Sequence, residues 1–132
     1  MASSKPGEAA PTKLEIEEGA AFLPKFDSNG LIPAIVLDAE DREVLVVAYM
    51  NREAIERTVS SQQVTFWSRS RQAFWTKGET SGNFLRVVEI RVDCDQDALV
   101  IFAQPAGPTC HTGRRSCFYR RLEGGALVKV NT

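Results

Sequence analysis

The apolar segments of this chain are short, and polar turns separate them. The longest uninterrupted one, Val44–Met50, has seven residues, whereas a helix that crosses a membrane needs about 20. Segments of about 4–8 residues that are rich in β-branched and aromatic side chains are typical of β-strands. The pattern therefore predicts an α+β fold that is mainly β, with antiparallel strands and no membrane association.

Eight segments have the pattern of strands, and one has the pattern of a helix. The predicted strands are residues 31–37, 44–50, 64–68, 74–77, 84–92, 98–103, 117–122 and 126–130. A short polar turn separates the first two, which predicts a hairpin. Asn51 is a good N-cap for a helix over about residues 51–60. The predicted buried face of this helix consists of Ala54, Ile55, Thr58 and Val59. The order of the strands in the sheet does not follow from the pattern.

The charge balance limits the partners of the chain. Sixteen basic and seventeen acidic residues give a formal net charge of -1, which argues against a nucleic-acid binder, since such proteins carry a clear basic excess. Residues 1–20 are predicted to be a disordered tail because they show no periodicity and few large apolar side chains. Residues 21–132 are predicted to form a single domain. The N-terminus lacks the apolar core of a signal peptide, which predicts a cytoplasmic location.

Residues 93–119 contain all three cysteines of the chain and its only histidine. Thiolates and imidazoles are the usual ligands of zinc. Six residues separate Cys110 from Cys117, which is too many for the knuckle of a structural zinc module. A catalytic zinc would be bound by Cys94, Cys110 and Cys117 and would keep one open position for water. If His111 were a fourth ligand, the site would be closed and structural. The first arrangement is favoured, because adjacent residues of an extended chain point in opposite directions. Buried cysteines that act as small apolar side chains are the alternative.

Asp93, Asp95 and Asp97 alternate along the chain. In an extended strand they share one face at a spacing of about 6.6 Å. Three like charges in a row repel each other, and a hard cation such as Mg²⁺ would relieve this repulsion. The alternative is a solvated strand end. Cys94 faces the other way in such a strand, which indicates a different site, one that another subunit could complete.

Several other residues have the chemistry of a catalytic or binding site. His111 is a candidate general acid or base, with a purely structural hydrogen bond as the alternative. The loop 78–82 combines glycines that let backbone N–H groups approach an anion with two hydroxyl side chains. The candidate substrate-binding residues are Arg69, Trp75, Lys77, Glu79, Thr80, Ser81, Arg114 and Arg115. Ordinary surface loops and core aromatic residues have the same composition, which is the alternative interpretation of each of these residues.

Four long strings occur in a specific order along the chain. They are WSRSR at 67–71, WTKGETSG at 75–82, RVVEIRVDCDQD at 86–97 and GPTCHTGRRSCFY at 107–119. Together with GLIPAIV at 30–36 and AYMNREA at 48–54, they closely resemble the phosphoribosyl-AMP cyclohydrolase family. The resemblance covers roughly residues 30–119.

The resemblance implies a function and a set of ligands. It implies hydrolysis at N1–C6 of the adenine ring of phosphoribosyl-AMP, an early step of histidine biosynthesis. It assigns one zinc ion per subunit to Cys94, Cys110 and Cys117, and Mg²⁺ to Asp93, Asp95 and Asp97. It also implies an intertwined homodimer in which the zinc site is shared between subunits. Taken with the residue chemistry, it predicts that His111 helps to deprotonate the attacking water.

Two other classes of protein use similar ligands. A base deaminase attacks the same ring carbon, but its H-x-E and P-C-x-x-C signature is absent from this sequence. An RNA-binding zinc module requires a basic excess, which the net charge of -1 contradicts. The sequence therefore favours the hydrolase.

Overall fold

The computed structural model describes residues 10–130 and contains two helices and eight strands in this part of the chain. The helices are α1 (Lys13–Glu18) and α2 (Arg52–Ser61). The strands are β1 (Ile32–Asp38), β2 (Val44–Met50), β3 (Thr65–Ser68), β4 (Ala73–Thr76), β5 (Leu85–Val92), β6 (Leu99–Pro105), β7 (Arg120–Glu123) and β8 (Ala126–Lys129). All eight predicted strands are confirmed, with small differences at their ends.

Four strands form the main sheet, in the order β2-β1-β6-β5. The predicted β1–β2 hairpin is confirmed, with Ile32 opposite Met50. The prediction of a mainly antiparallel fold is confirmed, with one exception: β6 lies parallel to β1 and places Ala34 beside Leu99. Parallel neighbours need a long crossover, and residues 39–98 supply it. The strands β3–β4 and β7–β8 form two separate antiparallel pairs.

The core lies between one face of the main sheet, α2 and the β3–β4 pair. Alternate residues of β1 are buried and include Ile32, Ala34 and Val36. Helix α2 begins after Asn51, whose side chain accepts a hydrogen bond from the backbone N–H of Ala54, as predicted. Its buried residues are Ala54, Ile55 and Thr58.

The prediction for the buried face of α2 is wrong at Val59, which is 53% exposed. The Thr58 hydroxyl provides the reason, because it donates to the backbone oxygen of Ala54 and accepts from the backbone N–H of Thr65. This pairing fixes the side of the helix that faces β3. Val59 is the next residue and therefore lies about 100° further round the helix.

The predicted disordered tail contains a short helix, which corrects part of that prediction. Helix α1 begins with a capping box, in which the Thr12 side chain accepts from the backbone N–H of Glu15 and the Glu15 side chain accepts from the backbone N–H of Thr12. Reciprocal capping of this kind stabilises the first turn of a helix. Residues 1–9 of the predicted tail lie outside the described residues.

The C-terminal strand pair β7–β8 leaves its apolar side chains exposed. All eight residues of the two strands are exposed, and Leu122 faces Leu127 across the pair. An isolated hairpin of two strands is marginally stable in water, so this pair needs a surface to pack against. Among the helices of residues 10–130, none has the length and apolar character required to span a bilayer.

Candidate active site

The cavity that contains most of the predicted site residues has a volume of about 670 Å³. Its walls come from the loop after β4 and from the segment that precedes β7. The predicted site residues that line it are Trp75, Lys77, Glu79, Thr80, Ser81, Cys110, His111 and Cys117. The structure thus brings two of the three cysteines, the histidine and five of the eight predicted substrate-binding residues to one place.

Backbone hydrogen bonds hold the two cysteines at this cavity. Cys110 begins a tight turn in which its N–H donates to the oxygen of Arg114 at 3.0 Å and its oxygen accepts from the N–H of Gly113 at 2.9 Å. Cys117 is fastened to the main sheet, because its N–H donates to the oxygen of Leu45 in β2 at 2.8 Å. A local turn therefore holds Cys110 and the main sheet holds Cys117, and both side chains line the same cavity.

The surroundings of the two thiols favour ionisation of one of them. Burial alone would raise the pKa of Cys110, but hydrogen bonds from the side chain and backbone of Thr112, contact with Cys117 and the charge of Lys77 together lower it. The Thr112 hydroxyl donates to the Cys110 sulfur at 3.1 Å. Burial, followed by the charge of Cys110, raises the pKa of Cys117. A cation bound between the sulfurs would favour ionisation of both, because metal ligation requires thiolates.

The loop that faces the cysteines depends on a glycine. Gly78 has φ +93, and a Cβ there would come within 2.4 Å of the backbone nitrogen of Phe84. The loop is closed by the N–H of Gly82, which donates to the oxygen of Gly78 at 2.7 Å. The Lys77 ammonium lies 5.4 Å from the centre of the Trp75 ring. A cation, two hydroxyl side chains and an indole ring therefore line the same cavity as the two thiols.

The third cysteine, Cys94, does not line this cavity. Cys94 is exposed in the turn after β5, whereas Cys110 is buried and Cys117 is partly buried. Within residues 10–130, the three sulfurs do not form a group whose ligand atoms lie within 4.8 Å of one another. One copy of the chain thus offers two of the three predicted zinc thiols at the cavity.

The three aspartates form a compact group, but not in the predicted geometry. Strand β5 ends at Val92, and the chain then turns, with the N–H of Gln96 donating to the oxygen of Asp93 at 3.1 Å. The carboxylate oxygens of Asp93, Asp95 and Asp97 lie within 4.8 Å of one another. The predicted alternation along an extended strand is therefore wrong, because a turn rather than a strand gathers these side chains. The group is able to hold a metal ion.

The crowding of these carboxylates changes their proton affinity. Hydrogen bonding to Asp93 and then to Asp95 raises the pKa of Asp97 to about 6. Burial of Asp93 acts against its ionisation, but hydrogen bonds from Asp97 and Asp95 outweigh this effect and lower its pKa. When carboxylates lie in contact, one of them is expected to keep its proton up to a pH near its raised pKa, because like charges in contact disfavour ionisation of both. A divalent cation would replace that proton.

The comparisons with known proteins agree on one family. The family profile described as phosphoribosyl-AMP cyclohydrolase matches residues 46–119. A protein of that name from Sphingopyxis alaskensis is 65% identical over 102 residues, which cover 77% of this chain and 81% of the relative. Another from Brucella canis is 60% identical over 120 residues, or 88% of this chain and 86% of the relative. A third, from Erythrobacter litoralis, is 54% identical over 118 residues, which cover 89% of this chain and 94% of the relative.

This chain belongs to the phosphoribosyl-AMP cyclohydrolase family. The resemblance seen in the motifs is confirmed.

The three predicted arginines of this cyclohydrolase family member lie outside the cavity wall. Arg115 pairs with the carboxylates of Asp38 and Asp41 at 3.0 Å and 2.7 Å. These two acidic groups, first Asp38 and then Asp41, raise the pKa of Arg115. Arg114 covers the ring of Tyr119, and Arg69 covers the ring of Tyr49. The pairing of Arg115 explains how the turn after Cys110 is fastened to the loop after β1.

Reasoning from the sequence missed two polar residues that line the cavity, Asn83 and Thr109. Arg71, which flanks the aromatic strands together with Arg69, also lines the cavity, and its guanidinium is suited to a phosphate. Thr109 lies within a family string, but nothing in its spacing distinguishes it from its neighbours. Thr109 is 2% exposed, and its hydroxyl oxygen is buried without a hydrogen-bond partner in the described part of the chain. A buried hydroxyl without a partner is costly, which makes Thr109 a candidate for a contact with a ligand.

Proposed function

We propose that this chain hydrolyses the N1–C6 bond of the purine ring in phosphoribosyl-AMP, a step of histidine biosynthesis. The product is the phosphoribosylformimino aminoimidazole carboxamide ribotide. The observation that carries the proposal is the cavity in which Cys110, Cys117 and His111 face the loop 77–81, in a chain of this family. Its volume of about 670 Å³ falls within the range of small-molecule sites.

The proposed zinc ligands are Cys110 and Cys117, together with Cys94 of the partner subunit. The paired thiols at the cavity, one of them with a lowered pKa, have the chemistry that zinc requires. When bound, zinc supplies Lewis-acid activation of a water molecule. His111 lines the same cavity beside Cys110, and we assign it the removal of a proton from the attacking water.

The proposed reaction balances within the substrate and one water molecule. Water adds its oxygen to C6, and the electron pair of the N1–C6 bond moves to N1, which takes up a proton. The exocyclic amino group stays on C6, which becomes a carboxamide carbon. His111 can return to N1 the proton that it accepts from water, since one group can serve as base and then as acid.

The cavity walls suggest how the substrate is held. Trp75 offers an aromatic face for the purine, and Lys77 with the loop 78–81 offers positive charge and N–H groups for a phosphate. Arg71 joins this cavity to a second one, which Arg69 and Trp75 also line. A substrate with a phosphate at each end would span both cavities. A phosphate role for Arg114 and Arg115 stays a prediction, and the two ion pairs of Arg115 favour a structural role.

The proposed homodimer follows from what one copy leaves incomplete. Cys94 is exposed and separate from the other two thiols. The β7–β8 pair exposes Leu122 and Leu127, and the outer face of β2 exposes Val47 and Tyr49. Burial of such apolar surface against a second copy would be favourable. A two-fold dimer would create two equivalent zinc sites.

The aspartate group is the proposed Mg²⁺ site. Three carboxylates within 4.8 Å of one another provide the hard oxygen ligands that Mg²⁺ prefers. Hydrogen bonding to Asp93 and then to Asp95 raises the pKa of Asp97, and a divalent cation would take the place of the shared proton. The predicted cytoplasmic location of the enzyme stays a prediction.

The decisive assay measures two products from phosphoribosyl-AMP. Ring opening removes the purine chromophore and releases no ammonia, whereas a deaminase would release one ammonia per turnover and leave the ring closed. We expect the purified chain to open the ring without ammonia release, and we expect a zinc chelator and Cys117→Ser to abolish the reaction. Glu56→Ala, a change at an exposed residue of α2 outside the cavity, is the matched control. Ammonia release, or full activity in zinc-free protein, would contradict the proposal.

A further inference from the structure

Gln96 has the most unusual environment of any polar residue in the acidic turn. It lies between Asp95 and Asp97, is 6% exposed and has φ +58. A residue other than glycine pays a conformational cost in this left-handed region, and surrounding contacts must hold it there. Those contacts come from the N-terminal segment, more than 70 residues away in sequence.

Every polar group of the Gln96 side chain binds the backbone of that segment. Its Oε1 accepts from the N–H of Leu23 at 2.7 Å, and its Nε2 donates to the oxygens of Ile16 at 2.9 Å and Ala21 at 3.3 Å. Its backbone oxygen also accepts from the N–H of Lys25 at 2.7 Å. One buried side chain therefore fastens residues 16–25 to the turn.

The same turn fixes the aspartates. The Gln96 N–H donates to the oxygen of Asp93, and a carboxylate oxygen of Asp93 accepts from the N–H groups of Asp97 and Ala98 at 2.9 Å and 3.1 Å. A change in the backbone at Gln96 would therefore move the carboxylates on either side of it. The arrangement of the three carboxylates and the docking of residues 16–25 therefore both depend on the left-handed backbone conformation of Gln96.

We infer that Gln96 is a positioning residue through which docking of residues 16–25 sets the affinity of the acidic turn for a divalent cation. The inference rests on the proposed function only in that these carboxylates hold such a cation. Because coupling between two sites is reciprocal, cation binding in turn tightens the N-terminal segment. Docking of α1 and of the residues that follow it is thereby coupled to cation binding.

The first measurement is the affinity for Mn²⁺, followed by electron paramagnetic resonance of the free ion in zinc-loaded full-length protein. We expect the wild type to bind Mn²⁺ at a site that Asp97→Asn removes. Gln96→Gly keeps the left-handed backbone but removes the amide, and we expect it to weaken this affinity by about fivefold or more, the lower end of typical coupling. Gln62→Gly is the matched control, since Gln62 also has a left-handed φ of +61 but its amide donates to Val59. We expect no change there.

The second measurement is the rate of tryptic cleavage after Lys25, the residue whose N–H donates to Gln96. Mg²⁺ should slow this cleavage in the wild type and in Gln62→Gly, whereas Gln96→Gly should be cleaved faster and respond little to Mg²⁺. If Gln96→Gly does not fold, Gln96→Asn takes its place, because asparagine tolerates this backbone and its shorter amide cannot span the same partners.

The outcomes separate this inference from the proposed function. Faster cleavage of Gln96→Gly with unchanged Mn²⁺ affinity would show that Gln96 only fastens the segment, and the inference would be wrong. A wild type without Mn²⁺ binding would overturn both the cation site and the inference. Ring opening measured on the same sample then shows whether the hydrolase proposal stands.

Discussion

His111 and Thr109 flank Cys110, and both line the cavity, yet their expected roles differ. We expect His111→Ala to retain zinc and to lower kcat by roughly 10²–10⁴, the usual contribution of general acid–base catalysis. Metal analysis alongside steady-state kinetics checks this, with His111→Gln as a variant that keeps hydrogen bonding but transfers no proton. Loss of zinc from His111→Ala would instead make His111 a metal ligand and the open zinc position wrong.

Thr109→Val tests whether the unpaired hydroxyl serves the substrate. The change keeps the shape of the side chain and removes a buried oxygen that has no partner among the described residues, so the unfolding temperature should stay the same or rise. We expect kcat/KM to fall about tenfold, the value of one hydrogen bond of about 1.4 kcal/mol. Thr65→Val is the control, because the Thr65 hydroxyl is bonded to Thr76. It should lower stability and leave kcat/KM unchanged, and an identical pattern in both variants would rule out the substrate contact.

At the scale of elements, local sequence signals predict the structure, whereas contacts between segments distant in sequence do not follow from them. The apolar run Val44–Met50 and the cap Asn51 fix β2 and the start of α2 within a few residues of sequence. The parallel pairing of β1 with β6 depends on the crossover through residues 39–98, and no local sequence pattern predicts it. The turn at Asp93 has the pattern of a strand because its carboxylates alternate, whereas contacts from residues 16–25, which are distant in sequence, help to hold the left-handed Gln96 that bends it.

The loop after β4 is the element whose shape most directly forms the cavity, and Gly78→Ala tests it. The new Cβ would meet the backbone of Phe84 at 2.4 Å, so the loop must shift in addition to bearing a strained φ of about 1–3 kcal/mol. We expect a lower unfolding temperature and a higher KM. Gly124→Ala has a positive φ of +54 with nothing within 4 Å, so it carries the strain alone and should leave KM unchanged. Equal effects on KM in the two variants would contradict a role for this loop in binding.

At the scale of the whole molecule, the sequence predicts three zinc ligands, whereas one copy of the chain brings only two of them together at the cavity. The strings of the family placed Cys94 with Cys110 and Cys117, but the fold separates Cys94 from the other two. Apolar side chains such as Leu122 and Val47 remain exposed on the same copy. Periodicity within one chain carries no information about which surfaces meet a partner. The proposed second copy would account for both the exposed surfaces and the divided ligand set.

Mixed dimers of two inactive variants test the shared zinc site. If Cys94 comes from one subunit and Cys110 with Cys117 from the other, Cys94→Ser and Cys117→Ser are each inactive as homodimers. In a mixed dimer, one site collects both defects and the other collects none. Random exchange makes about half of the dimers mixed, each with one good site of two, so about a quarter of wild-type activity should return. Co-refolding of the two variants followed by the ring-opening assay measures this recovery.

The matched control is a mixture of Cys110→Ser with Cys117→Ser. These two cysteines line the cavity of the same copy, so in every mixed dimer each site keeps one defect, and no activity should return. Recovery in the first mixture but not in the second therefore identifies Cys94 as the ligand that crosses the interface. If neither mixture recovers although mixed dimers are demonstrated, all three ligands come from one chain and the shared site is wrong. If both recover, Cys117 rather than Cys94 is the ligand that crosses the interface.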